Sequence, residues 1–252
     1  MDQKIVEVRN LTKSYGNKKV VKGISFEVLE GEIFGILGPN GAGKTTTLEM
    51  IEALRPIDDG NVTLAGLDVS TQPHEVKSVI GVQLQSTSFY DHLSLKELLS
   101  MFGGMYSQKV HPMKLLKQVN LTDKAKNEVN TLSGGQRQRF SVASALVNKP
   151  RVIFLDEPTT GLDPQARRNL WDLITEIKSS GITIVLTTHY MEEAELLCDR
   201  VAIMDNGKII ALDTPKNLVN DLLKRGFKKK VKPTAADLED VFIDLTGKDL
   251  RE

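Results

Sequence analysis

With one cysteine, Cys198, the 252-residue chain has no partner for an internal disulfide, which excludes a fold stapled by covalent cross-links. An excess of either charge is missing too. The 33 basic and 33 acidic side chains cancel, so no global field attracts a phosphodiester backbone and no nucleic-acid partner is expected. Long apolar runs are absent: the strongest, such as Ile182 to Leu186, fall far short of the roughly 18 residues of a membrane helix. The polar start Met1-Asp2-Gln3-Lys4 lacks the apolar stretch of a secretory signal. A cytoplasmic chain is expected, and action at a membrane would require a partner that spans it. With 40% apolar residues, the chain can bury a full core, as one large domain or two closely packed lobes.

Two glycine-containing segments carry the chemistry. Gly38-Pro39-Asn40-Gly41-Ala42-Gly43-Lys44-Thr45 matches the phosphate-cradling loop, in which backbone N–H groups approach anionic oxygens, a lysine reaches the terminal phosphates and a hydroxyl meets Mg²⁺. It follows the apolar run Ile33 to Leu37 and opens a helical pattern, the context that such a loop requires. Far downstream, Leu132-Ser133-Gly134-Gly135-Gln136 puts a glycine-flanked serine at the start of a helix, a second backbone-donor site suited to a phosphate. One chain does not need two such sites for the same nucleotide, so the second is expected to serve a neighbour's. At the end of Val152-Ile153-Phe154-Leu155, Asp156 and Glu157 stand beside the mouth of the expected sheet. Strand alternation is expected to separate their roles, Asp156 supporting Mg²⁺ and Glu157 assisting the attacking water in phosphoryl transfer.

The patterning predicts an α/β fold. Ile5 to Arg9 and Ile24 to Val28 alternate like two early antiparallel strands. Ile33 to Leu37, Val152 to Leu155 and Ile182 to Leu186 are continuous apolar runs, the pattern of parallel strands covered on both faces. Helices are predicted from Thr45 towards Ala53 and from Pro164 to Lys178. Between about 87 and 147 the period becomes helical, through Leu95, Leu98, Leu99 and Phe102 and then Leu115, Leu116 and Val119, which reads as a helical lobe inserted in the core. A basic linker, Lys224 to Lys232, leads to an amphipathic helix carrying Leu238, Val241, Phe242 and Leu245.

These motifs, in this order, resemble the ATP-binding cassette (ABC) ATPase family: GPNGAGKTT at Gly38 to Thr46, LSGGQ at Leu132 to Gln136, VIFLDEP at Val152 to Pro158, GLD at Gly161 to Asp163 and a histidine after a strand, His189. The resemblance covers nearly the whole chain. It implies a P-loop NTPase core with a mainly parallel sheet, an N-terminal antiparallel β subdomain and an inserted helical subdomain. The cassette would span residues 1–224, followed by the basic linker and a C-terminal helical extension over 225–252. ATP and Mg²⁺ are the implied ligands. Gly38 to Thr46 and Ser133, Gly134, Gly135 and Gln136 would bind nucleotide, and Tyr15 would stack on adenine. Lys44, Glu157, His189 and Gln85 would be catalytic, and Thr45, Gln85 and Asp156 would reach the metal.

In the family two cassettes pack head to tail, Ser133 and Gly135 of one completing the site whose P-loop belongs to the other, with Asp163 crossing the interface. Such a homodimer, or paired cassette, works on a separate transmembrane permease at the cytoplasmic face of the membrane. The tail Leu238 to Gly247 and His189-Tyr190-Met191-Glu192-Glu193-Ala194 resemble the ATPases of bacterial exporters of drugs and other small molecules or lipids. Gln136, where methionine is frequent, and the compact segment Met101 to Met113 depart from that branch. A soluble ABC-type ATPase acting as an assembly or regulatory module is the alternative. A permease is expected to dock near Gln85, on Phe89, Tyr90 and His92 as exposed anchors.

Overall fold

A computed structural model of the chain describes residues 3–84 and 88–227. The chain divides into two compact units, Met1–Leu218 and Val219–Glu252, and the sites below all lie in the first. Its elements run β1 (Lys4–Tyr15), β2 (Lys18–Leu29), β3 (Ile33–Leu37), α1 (Lys44–Ile51), β4 (Asp59–Leu64), β5 (Leu67–Asp68), α2 (Pro73–Val79) and β6 (Ile80–Gln83). After these come α3 (Leu95–Met105), α4 (Pro112–Gln118), α5 (Gly134–Ala145), β7 (Val152–Asp156), α6 (Pro164–Ser179), β8 (Thr183–Thr188), α7 (Met191–Leu197), β9 (Arg200–Asp205) and β10 (Lys208–Asp213). The last described helix is α8 (Pro215–Lys224). The expected helix around Leu238 to Leu245 lies outside the described residues, as does the linker from Lys228 onward.

Two sheets follow from two hydrophobic patterns. The half-exposed strands form a four-stranded antiparallel sheet in the order β2-β1-β4-β5. The apolar strands form a six-stranded sheet in the order β10-β9-β3-β8-β7-β6. It is parallel from β6 to β9, and β10 joins its edge antiparallel to β9. Every residue of β3, β7 and β8 is buried, as expected of strands covered on both faces.

Alternation then divides their side chains between two cores. Phe34, Ile36, Phe154 and Val185 join α1 and the antiparallel sheet, with Phe26 stacked on Phe34 at 5.2 Å between ring centroids. Ile33, Leu37, Leu155 and Leu186 join the helices on the opposite face. At Gly35 a Cβ would fall 2.6 Å from the Cys198 sulfur just past α7, so the missing side chain lets this segment lie against β3.

The helical period is realised as α3 to α5. Ser94 and Glu97 close a capping box at the start of α3, and Leu95, Leu98, Leu99, Leu116 and Val119 are buried. Phe140 on α5 sits at the centre of this packing, completely buried. Phe89 leans on it at 5.1 Å and on Phe102 at 6.4 Å between centroids. Phe89 is therefore a packing residue and not the exposed anchor expected from sequence. Of the three, Tyr90 and His92 face solvent, Tyr90 with 61% of its surface exposed.

Candidate nucleotide site

The loop between β3 and α1 encloses a cavity of about 300 Å³ lined by Asn40, Gly41, Gly43, Lys44, Thr45 and Glu157, among others. Gly41 and Gly43 hold positive φ, 80° and 103°, a region that side chains with a Cβ rarely enter. Gly38 is glycine for a packing reason: a Cβ there would meet the Met204 carbonyl at 2.1 Å. Gly43 is the N-cap of α1 and supplies no side-chain cap. The amides of Lys44, Thr45 and Thr46 are left without partners among the described residues, which is the arrangement that accepts an anion at a helix N-terminus.

Lys44 is 4% exposed, and its ammonium donates to the carbonyls of Gly38 at 2.9 Å and Pro39 at 3.2 Å while pairing with Glu157 Oε1 at 3.1 Å. Glu157 Oε2 stands 3.1 Å from His189 Nδ1, within ion-pair reach when the imidazole is protonated, and accepts from Thr160 Oγ1 at 3.2 Å. Burial pushes the Glu157 carboxyl upward, but Lys44 and then His189 outweigh it and hold the group below its ordinary value. Asp156 moves the other way: burial raises it, opposed by hydrogen bonds from Thr187 and Thr45. Thr45 Oγ1 lies 3.3 Å from Asp156 Oδ1, and Thr187 Oγ1 donates to the same oxygen.

Strand alternation does not separate the two carboxylates. The strand β7 runs through Asp156, and the chain then turns at Glu157 into a left-handed conformation, φ 47°. Its amide is held by the Thr187 carbonyl at 3.2 Å and hydroxyl at 3.0 Å. The turn, not the pleat, aims Glu157 at Lys44.

Lys44, Thr45, Asp156, Glu157 and His189 thus converge. Tyr15 does not line the cavity; the residue is 42% exposed, and its ring centroid lies 5.3 Å from the Arg55 guanidinium carbon. Val20 on β2 supplies the wall instead, a residue without a motif to mark it. Gln85 lies outside the described residues. Ser133, Gly134, Gly135 and Gln136 do not line the cavity either. Ser133 Oγ accepts from the Gln136 amide at 3.3 Å, and Gln136 Oε1 accepts from the Ser133 amide at 3.0 Å. Gln136 therefore closes a capping box, and Gly135 makes room for α6, since a Cβ would fall 2.8 Å from that of Ala166. Thr187 and Thr160 were the partners missed from sequence; only the threonine-rich end of β8 hinted at the first.

The family model described as ABC transporter matches residues 21–160. The chain is 41% identical over 223 residues to the linearmycin resistance ATP-binding protein LnrL of Bacillus subtilis, covering 86% of this chain and 72% of the relative. It is 44% identical over 219 residues to the Nod factor export ATP-binding protein I of Burkholderia lata, covering 85% and 72%. Among solved structures, a dimeric ATP-binding cassette in a post-hydrolysis state bound to ADP and Pi superposes with a TM-score of 0.75 at 26% identity, over 83% of this chain and 98% of that one. With a P-loop, a carboxylate pair and a second glycine-flanked helix start on one framework, and with that family spanning more than half its length, the chain belongs to the ABC transporter family, as an ATP-binding and ATP-hydrolysing cassette.

Proposed function

We propose that the chain powers an exporter, as one of two cassettes that close head to tail around ATP on a separate membrane subunit. The observation that carries the pairing is spatial: the α5 start at Ser133 has no place in the cavity that holds Lys44 and Glu157. A second copy, turned head to tail, would bring its own Ser133 and Gly135 to that cavity. Similarity to proteins named for linearmycin resistance and Nod factor export supports the exporter reading.

Within the site, Lys44 spends its third donor on Glu157. An incoming terminal phosphate competes for that ammonium, and the exchange frees the Glu157 carboxylate to take a proton from the attacking water. His189, on the far side of Glu157, would meet the γ-phosphate in this reading. Thr45 and Asp156 offer the hard oxygens that suit Mg²⁺, and no cluster of three or more acidic, His or Cys side chains cages a metal among the described residues. That fits an ion held by one or two protein oxygens together with water and phosphate. Magnesium, when bound by Thr45 and Asp156, would offset the charge of the phosphates.

Glu157→Gln keeps the shape of the side chain and loses its basicity, so ATP should trap a dimer in size-exclusion chromatography, and adding Ser133→Arg should abolish it. A Glu157→Gln chain that binds ATP at millimolar concentration and stays monomeric contradicts the paired site.

No helix among the described residues is long and apolar enough to cross a membrane, and the exposed Tyr90 beside a cavity of about 280 Å³ marks the proposed seat of the permease. Tyr90→Glu should spare ATPase activity and abolish co-purification with the membrane subunit; retained co-purification refutes that seat.

A further inference from the structure

His189 is flanked on two sides. On one, its Nδ1 is 3.1 Å from Glu157 Oε2. On the other, its ring lies 4.1 Å, centroid to centroid, from that of Tyr190, inclined by 38°. Tyr190 is fixed in turn: its amide donates to Thr188 Oγ1 at 2.9 Å, and the Arg167 guanidinium carbon lies 4.6 Å from its ring centroid. That separation is the range in which a guanidinium is attracted to the negative face of an aromatic ring. Arg167 Nε is buried and has no hydrogen-bond partner among the described residues. The ring is therefore the partner that the structure provides for this part of the cation.

Arg167 belongs to the first turn of α6, where Asp163 caps the helix through the Ala166 amide at 2.8 Å and the Arg167 amide donates to the Asp163 carbonyl at 3.0 Å. From that turn its guanidinium reaches the Tyr190 ring. The ring limits where the His189 imidazole can sit. Mere packing of α6 against α7 does not require the contact, because Trp171 Nε1 already joins the helices through Glu193 Oε1, buried, at 3.0 Å.

We propose that Arg167 and Tyr190 form a positioning pair that holds the His189 imidazole beside Glu157, and that they act on turnover through it. This rests on the assignment of His189 to the γ-phosphate made above. Neither residue touches the phosphates in this reading. Their removal should slow the chemical step, which depends on where the imidazole stands, and leave nucleotide binding to the P-loop nearly unchanged.

The test uses the full chain with Mg-ATP, steady-state ATPase rates, and affinity for a fluorescent ATP analogue. His189→Ala comes first: full activity there overturns the role of His189 itself, separately from the pair. With His189 required, Arg167→Gln and Tyr190→Leu should each lower kcat about 10-fold while nucleotide affinity stays within about twofold. The double variant should be no slower than the slower single one, because both substitutions break one contact. Arg167→Lys, which keeps a cation, and Tyr190→Phe, which keeps the ring, should each retain at least about half of the activity. Losses that multiply in the double variant, an unchanged rate in Arg167→Gln, or a Tyr190→Phe as slow as Tyr190→Leu would overturn the pair. If Arg167→Gln melts early, Arg167→Lys decides: near-normal turnover supports the pair, and a loss as large as that of Tyr190→Leu rejects it.

Discussion

Helices α1 and α5 both begin at glycine-rich turns, yet their first turns are finished in opposite ways. The start of α1 has no side-chain cap, no acidic residue in its first turn, and amides that are unpaired among the described residues and open onto a cavity framed by buried Lys44 and by Glu157. The start of α5 is capped reciprocally by Ser133 and Gln136 and lies away from that cavity, with the amides of Gly134 and Gly135 unpaired among the described residues. An anion-binding helix start has to leave donors open. One that also stands in water between encounters gains stability by capping itself, at about 1 kcal/mol for the cap. On the proposed pairing, the first start works within its own chain and the second serves another.

Substitutions at the two starts should therefore fail differently. Lys44→Ala removes the cation at α1, and ATPase activity should drop about 100-fold or more, together with nucleotide affinity. Ser133→Arg at α5 should cost about as much activity, while the isolated chain still binds a fluorescent ATP analogue within about twofold of wild type. Equal loss of binding in both would erase the distinction drawn here.

A smaller effect sits at the other end of α1. Burial, then the nearby charges of Asp156 and Glu49, pushes the Glu52 carboxyl from 4.5 up to about 8. The folded chain thus holds a proton that the unfolded chain gives up, and the stability from it is full below 4.5 and lost as pH rises through about 8. Glu52→Gln should flatten that decline and raise the melting temperature at alkaline pH relative to wild type. A variant whose melting temperature follows pH as wild type does would show that Glu52 is not the titrating group.

Much of this was legible in the sequence because it is local. Apolar runs such as Ile33 to Leu37 announce strands covered on both faces, and the glycines around Lys44 announce a backbone turned towards an anion. The partners of the site were not legible, since they come together only in the folded chain. Thr187 reaches Asp156 from 31 positions away, and the Glu157 turn depends on that same threonine. Gln136 was read for the nucleotide, but its spacing from Ser133 is equally that of a capping box. Sequence alone presents Phe89 as an anchor, whereas the fold packs this loop residue against Phe140 on α5.

The claim that the two helix starts meet across copies can be tested by cross-linking two single-site variants in the Glu157→Gln background. Lys19 and Arg137 are exposed, Lys19 next to the cavity residue Val20 and Arg137 on the first turns of α5, and the native Cys198 is buried. Chains carrying Lys19→Cys and chains carrying Arg137→Cys, mixed and treated with a short bismaleimide, should form a cross-linked heterodimer with ATP and very little without it. Equal yields with and without ATP, or no heterodimer although both chains bind nucleotide, would contradict the account.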